Sequence, residues 1–434
     1  MQPLILQLLD PSLLPRLRVL QVGDIHLPSS ARSADSVDHK DARFPPDLKA
    51  MISSRPLKKA FEKIYEIASE EDISAILFMG DLTDYGSAAG YNACAAYISN
   101  SLQIGKTGLL KHLPVGVVSG NHDIDRLLAK SNPATAKFAP LNSALTSFGL
   151  PTIPVERPIW INLRKDDIVT SIALLNSCWG CGSPEFIPLE FRNDVNAAID
   201  NAIAKGTSGR EVQAYYERQF DTPAFSSESI QQLLADIDTN PSSLFLVTAH
   251  HNILPQRMPR LAPYTELVNS GALRSVLQEL GKPVVYLHGH IHQDPIEIVS
   301  IPNGLPLLSV SAPLITAGFN VLEFVFTRGG MPLSCRILKW RFDEAGYIRR
   351  VEPITVSLIG LRRRSQRPSL IEVYKIVLDA KEIYWSDLVS RCSQLYLSMP
   401  DDLEEDLELL ATDHRVTIEN YGMSHPNWIV KASI

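Results

Sequence analysis

Ser119-Gly120-Asn121-His122-Asp123 closes an apolar run that extends from Leu113 to Val118. The run stops at a glycine and then presents an amide, an imidazole and a carboxylate in succession. One such tetrapeptide is weak evidence of chemistry, because His and Asp after a glycine turn are common in ordinary loops. Its weight comes from the other places in the chain where the same thing happens.

Leu17 to Val22 is a β-branched, apolar segment that reads as a short buried strand and ends in Gly23-Asp24-Ile25-His26. In extended backbone Asp24 and His26, at i and i+2, project to the same side, where one metal could take both. A second buried strand, Ile73 to Met79, runs into Gly80-Asp81-Leu82-Thr83-Asp84. Ser243 to Thr248 ends in Ala249-His250-His251-Asn252, and Pro283 to Leu287 ends in His288-Gly289-His290-Ile291-His292.

Helical patterns lie between these strands. Leu57 to Ser69 places Phe61, Ile64 and Ile67 at helical spacing, and further helices are expected over Tyr91 to Leu102, Ser226 to Ile237 with a serine cap, and Leu267 to Leu280. Ile168 to Asn176 reads as another strand after a proline-punctuated segment, Pro133 to Pro158. Strands alternating with helices predict a layered α/β fold whose ligands gather beyond the carboxyl ends of the strands. The polar clusters fall there.

The remaining segments organise around this core. Residues 29–56 read as a long loop beside the site, and 184–220 as an insertion or cap with helical stretches. From Ile296 to about Ile359, strand-like runs punctuated by Gly304, Gly329-Gly330 and Gly346 are expected to complete a second sheet. We therefore expect a catalytic domain over 1–360, a basic linker over 361–368, and a small C-terminal α+β domain over 369–434. In that tail, three helices (from Ser369, Trp385 and Asp401) precede a hairpin of Val416 to Glu419 and Trp428 to Lys431, an order that resembles a winged helix. Its third helix carries Asp401, Asp402, Glu404, Glu405, Asp406 and Glu408, which would repel a DNA backbone. The expectation for this domain is contact with a protein partner or another subunit.

Composition sets outer bounds. Over 434 residues, 45% hydrophobic and 21% charged residues are ordinary for a chain that buries a large core. A formal net charge of −7 argues against holding nucleic acid by global electrostatics. Five scattered cysteines suit a reducing compartment rather than a disulfide framework, and Cys178-Trp179-Gly180-Cys181 has CxxC spacing without a second pair, so it reads as buried or loop thiols. The first residues lack a basic region and are broken by Pro3, Pro11 and Pro15, and no apolar run is long enough to span a bilayer. The expectation is a cytoplasmic protein with no membrane association.

Asp24 with His26, Asp81 with Asp84, Asn121 with His122, then His250, then His290 with His292, each following a predicted strand, together resemble the calcineurin-like metallophosphoesterase superfamily. The ordered signature of that superfamily is D-x-H, G-D-x-x-D, G-N-H-D/E, a lone H, and G-H-x-H, and no position of it is missing between Gly23 and His292. The resemblance implies a four-layer sandwich of two mixed sheets flanked by helices, and a pair of divalent metal ions about 3.5–4 Å apart. It implies Asp24, His26, Asp81 and His292 on one metal, with Asp81 bridging to a second held by Asn121, His250 and His290. Carboxylate, amide and imidazole donors suit Mn²⁺, with Fe or Zn²⁺ as alternatives. His122 resembles the family's proton donor and Asp84 the carboxylate that orients it, while His251 and His288 read as packed or supporting histidines.

Departures from the pattern bear on substrate. Purple acid phosphatases have Tyr where Asp84 stands, and protein serine/threonine phosphatases follow this Asp with Arg-Gly, whereas here Tyr85-Gly86 follows. Asn252 stands where many small phosphodiesterases have Pro after the His-His pair. The resemblance thus points to a hydrolase that cleaves phosphodiester bonds of a nucleotide or similar small diester by metal-bridged hydroxide attack. Two other readings stay open at this level: a DNA or RNA nuclease of a repair or phage-defence system, and a catalytically silent scaffold of the same fold.

Overall fold

The computed structural model of the chain describes residues 13–27, 56–84, 86–125, 128–130, 134–182, 222–254, 267–300, 304–360, 367–395 and 400–433, with scattered positions between 190 and 197. Apart from those positions, the insertion expected over 184–220 lies outside the described residues, as do the loop expected over 29–56 except Pro56, and residues 361–366 of the linker.

Two mixed sheets stack face to face. The first has the order β12-β11-β10-β1-β2-β3, with β13 also paired to β11, and is built on β1 (Arg16–Val22), β2 (Ala75–Phe78), β3 (Val115–Val117), β10 (Gly318–Phe326), β11 (Pro332–Phe342), β12 (Ile348–Arg350) and β13 (Ile354–Ser357). The second has the order β4-β5-β6-β7-β9-β8, from β4 (Ile159–Lys165), β5 (Ile168–Leu174), β6 (Leu244–Thr248), β7 (Val284–His288), β8 (Ile296–Val299) and β9 (Leu307–Ser311).

Side-chain alternation produces the layers. On β1, Leu17 and Val19 join Leu77 of β2 and Leu174, Leu246, Leu287 and Leu308 of the second sheet in a core between the sheets. The opposite face, Leu20 and Val22, packs with Phe61 and Ile64 of helix α1 (Pro56–Glu70), Tyr91 and Ile98 of α2 (Ala88–Leu102), and Leu145 of α3 (Ala139–Ser147). Beyond the second sheet, Phe245 and Tyr286 pack on Leu233 of α4 (Ser227–Thr239) and Leu273 of α5 (Ser270–Glu279). Each such large apolar side chain taken fully out of water contributes about 1.5–3 kcal/mol. The expected four-layer α/β sandwich is the observed one.

Gln21, on the inter-sheet face of β1, is buried but fully engaged. Its amide donates to the carbonyls of His288 (3.2 Å) and Val310 (2.9 Å), and its oxygen accepts from Asn320 Nδ2 (2.9 Å). These bonds tie the two sheets together at the carboxyl ends of β1 and β7.

Three sequence expectations change. Residues 296–359 do not all complete the second sheet: β8 and β9 do, whereas β10 pairs antiparallel with β1, and β11 to β13 extend the first sheet from it. Strand spacing along the chain carries no information about which sheet edge a strand reaches. The proline-punctuated stretch contains α3, with Pro140 in its first turn, where the missing N–H costs nothing. It is followed by β4, which makes a hairpin with β5.

The C-terminal residues form a small α+β unit with its own core of Val373, Val377, Leu388, Leu403, Leu407 and Trp428. Its order is α6 (Ser369–Ala380), β14 (Glu382–Tyr384), α7 (Trp385–Gln394), α8 (Pro400–Thr412), β15 (Val416–Glu419) and β16 (Ile429–Ala432), with β16 central in a three-stranded sheet. The short β14, absent from the sequence reading, makes the order that of a winged helix. Among the described residues no helix is long and apolar enough to cross a membrane.

The acidic helix α8 faces inward. Glu404, Asp406 and Glu408 are buried, and Glu408 makes two hydrogen bonds to Arg336 of β11 (3.0 and 2.7 Å) and one from the Tyr421 hydroxyl (2.8 Å). Glu404 accepts from the Leu14 N–H (3.0 Å) and lies 3.9 Å from Arg16. Arg16 and Arg336 both stack over the Tyr421 ring, 4.0 and 3.1 Å from its centre. Arg367 of the expected linker pairs with Glu405 and Asp406. Four of the six acidic residues, Glu404, Glu405, Asp406 and Glu408, thus meet arginines of the same chain.

Removing one member of such a buried pair leaves the other charge uncompensated. Arg336→Ala is expected to cost about 3–5 kcal/mol, read as a lowered midpoint in urea denaturation. Glu323, on β10 beside the same arginines, adds a pH dependence. Burial alone would raise its carboxyl, but Arg16, Arg18 and Arg336 outweigh it and hold it at about 2. Its contribution is present above the ordinary glutamate value of about 4.3 and is lost as pH falls through 2, so Glu323→Gln should flatten the acid limb of a stability–pH curve.

Candidate metal centre

β1, β2, β6 and β7 end at one edge of the sandwich, and β3 stops close by. The polar residues that follow them converge. Asp24, Asp81 and His250 are fully or almost fully buried, Asn121 is buried, and His26, His122 and His290 are partly exposed. Asp81 Oδ2 lies 3.3 Å from His250 Nε2 and 3.8 Å from His26 Nε2. Asn121 Oδ1 is 3.1 Å from both His250 Nε2 and His290 Nδ1. His26 Nε2 and His292 Nε2 stand 3.1 Å apart, and His292 Nε2 is 3.9 Å from Asp24 Oδ2. All seven residues expected to hold metal are therefore brought together.

Donors around a cation at about 2.0–2.2 Å sit roughly 3–3.5 Å from each other, which is the spacing seen here. The atoms that face one another are also the wrong kind to do so unaided. His250 Nδ1 is 2.6 Å from the Met79 carbonyl, an acceptor only, so Nδ1 carries a hydrogen, and in the neutral ring Nε2 would set a lone pair against the oxygens of Asn121 and Asp81. Asp24 Oδ2 is buried with no hydrogen-bond partner. Either a proton or a cation must lie between these groups.

Electrostatics tell the same story. Burial pushes Asp24 up to about 7, helped by Asp81 and opposed by His250. Burial alone would lower His250, yet Asp81 and Asp24 raise it to about 10. Asp81 is held well below the carboxylate range, burial being outweighed by His250, His122 and His26. The imidazolium of His250 does in this state what a divalent cation can do more strongly. The residues present fit a dinuclear centre.

Backbone shape departs from the extended reading. His26 has φ +51°, so it is not the i+2 position of a strand; main-chain bonds from the Ile25 and His26 N–H groups to the Asp81 carbonyl (both 2.9 Å) bring it in. Asp81, His290 and His292 also have positive φ, at 48°, 68° and 53°. Non-glycine residues in this region cost roughly 1–3 kcal/mol each and persist where surrounding structure forces them. Glycine is needed where loops touch: a Cβ on Gly120 would sit 2.0 Å from Asp81 Oδ1, and one on Gly80 would sit 2.6 Å from the Gly120 nitrogen.

Asp84 meets His122 by an unexpected atom. His122 Nδ1 is 2.9 Å from the Asp84 main-chain oxygen, and the Asp84 carboxylate lies 3.8 Å from His26 Nδ1. A carbonyl acceptor fixes Nδ1 as the protonated nitrogen of the neutral ring. The carboxylate anticipated as the orienting group is therefore directed in part at His26. His251 is buried with Nδ1 2.8 Å from Ser177 Oγ, and His288 is buried near the Gly289 carbonyl.

Asp123, which the sequence reading leaves outside the catalytic residues as one that only fixes the turn, holds more than its own turn. Fully buried, its carboxylate accepts from the N–H groups of Gly120 (2.9 Å), Leu82 (3.1 Å) and Thr83 (2.9 Å), clamping the Asp81 loop to the Asn121 loop. Burial and Asp81 raise it to about 6, against those three donors. Its only signal in the sequence was its place after Asn121-His122.

A family model for calcineurin-like phosphoesterases matches residues 17–294. Among solved structures, a dimetal phosphatase from Danio rerio is 13% identical, covering 79% of this chain and 99% of its own, at a TM-score of 0.43. A 5'-nucleotidase precursor from Thermus thermophilus is 12% identical, covering 77% and 56%, at 0.40. The NAD nucleotidase of Haemophilus influenzae is 13% identical, covering 83% and 56%, at 0.42. This chain thus spans 56% of the length of each nucleotidase. Comparison of the sequence with curated proteins gives no match.

Asp123→Asn turns amide hydrogens toward main-chain N–H donors. It should cost about 1–3 kcal/mol in denaturant and weaken metal retention measured by dialysis and elemental analysis. Gly120→Ala should lose metal altogether, since the added methyl overlaps Asp81.

Proposed function

The chain belongs to the calcineurin-like phosphoesterase family, a family of metal-dependent phosphoester hydrolases, and from this premise we propose that it hydrolyses a small phosphodiester, a nucleotide among the candidates. One observation carries the reading: a single oxygen, Asp81 Oδ2, faces both His250 Nε2 (3.3 Å) and His26 Nε2 (3.8 Å), one histidine from each of the two donor sets. On this reading Asp24, His26, Asp81 and His292 would hold one ion and Asn121, His250 and His290 the other, with Asp81 placed between the two sets. Mn²⁺ is the pair we favour, with Fe or Zn²⁺ compatible with the same donors. Such a pair, when bound, supplies a water acidic enough to act near neutral pH and offsets phosphate charge.

The chain's own groups do the rest. Asp24 and Asp81 set the number of positive charges the pocket can hold. The Met79 carbonyl keeps the His250 lone pair directed inward. His122, edge-on to His26 with ring centres 4.7 Å apart, is anchored through Nδ1 so that its imidazolium form can give the Nε2 proton to the departing alkoxide. Asp84 positions it through its carbonyl.

Two features support a small diester. A diester phosphate carries one negative charge where a monoester carries nearly two, and the Arg that grips phosphate in serine/threonine phosphatases is replaced here by Tyr85. A nuclease reading gains nothing from the winged-helix-like tail, because α8, the helix that would enter a DNA groove, is buried against β11 and β13.

Metal-reconstituted protein should cleave bis-p-nitrophenyl phosphate faster than p-nitrophenyl phosphate, and Asp81→Asn should abolish both. The reverse preference would move the assignment to a phosphatase. His122→Asn should keep its metal while kcat falls about 10²–10⁴-fold, the range for general acid catalysis. Asp84→Asn, which keeps the carbonyl, should fall far less.

A further inference from the structure

Behind His250 lies a cluster that the dinuclear centre does not use. After β5 the turn Cys178-Trp179-Gly180-Cys181 is closed by a bond from the Cys181 N–H to the Cys178 carbonyl (3.1 Å). Neither cysteine is in a disulfide and both are fully buried, and His251, from the distant loop after β6, is buried beside them. One donor atom from each of Cys178, Cys181 and His251 lies within 4.8 Å of the others, and Cys178 Sγ is 3.9 Å from His251 Nδ1. CxxC spacing alone supplies half of a tetrahedral thiolate site, and the fold brings a third donor to it.

Buried groups hold the turn on both sides, and the Cys178 thiol faces the Ser119 carbonyl (Sγ to O 3.3 Å). Lys137, fully buried, donates to the carbonyls of Trp179 (2.5 Å) and Cys181 (2.7 Å), placing a cation on the same turn. His251 is fixed by its N–H to Ser177 Oγ (3.0 Å) and by the Tyr286 hydroxyl on its carbonyl (2.6 Å), while its buried Nε2 has no hydrogen-bond partner. An ion with S and N ligands at about 2.3 and 2.0 Å holds neighbouring donors roughly 3.5–3.8 Å apart, a contraction of about 1 Å or less from the positions seen.

We propose that Cys178, Cys181 and His251 form a third cation site that takes one thiophilic ion, Zn²⁺, separate from the oxygen- and nitrogen-lined pair. Loading breaks two S–H bonds, forms two metal–sulfur bonds and releases two protons to solvent. His251 adds a lone pair, and no electron is transferred. Ser177 Oγ, 2.8 Å from His251 Nδ1, is at hand for the fourth position. His251 ties the site to the dinuclear centre, its ring centre 4.8 Å from that of His250 and 4.4 Å from that of His290.

Titration of metal-free protein with Co²⁺ tests this, because the dinuclear residues contain no sulfur and a thiolate-to-cobalt charge-transfer band reports on this site alone. The band is expected in wild-type protein and in Asp81→Asn, and is expected to vanish in Cys181→Ser together with one equivalent of bound metal. Its absence from wild-type protein, or its survival in Cys181→Ser, overturns the proposal. So does a thiol titration of denatured, metal-free protein that finds two fewer than the five cysteines of the sequence, since the pair would then be a disulfide. Should Cys181→Ser fail to fold, the wild-type and Asp81→Asn spectra still decide.

Discussion

Two carboxylates, Asp24 and Asp81, sit side by side with almost no exposure to water. Taking charges out of solvent is tolerable only if other charges follow them, and most of the local structure can be understood as that compensation. His250 is driven toward the imidazolium form, Asp24 toward the neutral acid, and four histidine rings crowd the remaining space. A protein that needed only a stable core would fill this edge with leucine. The arrangement makes sense as a site whose charge is completed from outside.

The loops that present these groups are held from beneath rather than by their own preferences. Asp123 clamps two of them, the Asp81 carbonyl receives the Ile25 and His26 N–H groups, and Gln21 ties β1 to the carbonyl of His288. This scaffolding is what lets four donor residues occupy left-handed backbone. The far side of the molecule uses the same device with opposite polarity, arginines of β1 and β11 receiving the carboxylates of α8.

What the sequence made legible was whatever depends on short-range pattern. Apolar runs followed by a polar turn, four of the five with a glycine, located β1, β2, β3, β6 and β7, and with them the residues expected to hold metal, because parallel strands deliver their carboxyl ends to one edge. What escaped was set by partners distant in the chain. Nothing in the alternation of Gly318–Phe326 says that it pairs with β1 rather than with the second sheet. Pro140 read as a break although it begins a helix. His26 looked extended because its conformation is imposed by the Asp81 carbonyl, and the partner of His122 Nδ1 was taken for a side chain when it is a main-chain oxygen. The acidity of α8 repeats at short range and was legible, but its pairing with Arg16 and Arg336, far away in the chain, was not.

That last contact has a consequence for how the chain folds. Arg16 lies in β1, the central strand of the first sheet, and in the native state its guanidinium is enclosed by Tyr421 and Glu404 from the tail. Without the tail, Arg16 would keep Glu323 of β10 as a counter-charge but lose Glu404 and the Tyr421 ring. The two parts are therefore not beads on a string. The tail completes the charge balance of the first sheet and shares an apolar cluster with it, Leu409 against Val325 and Leu333, so the two should melt as one cooperative unit.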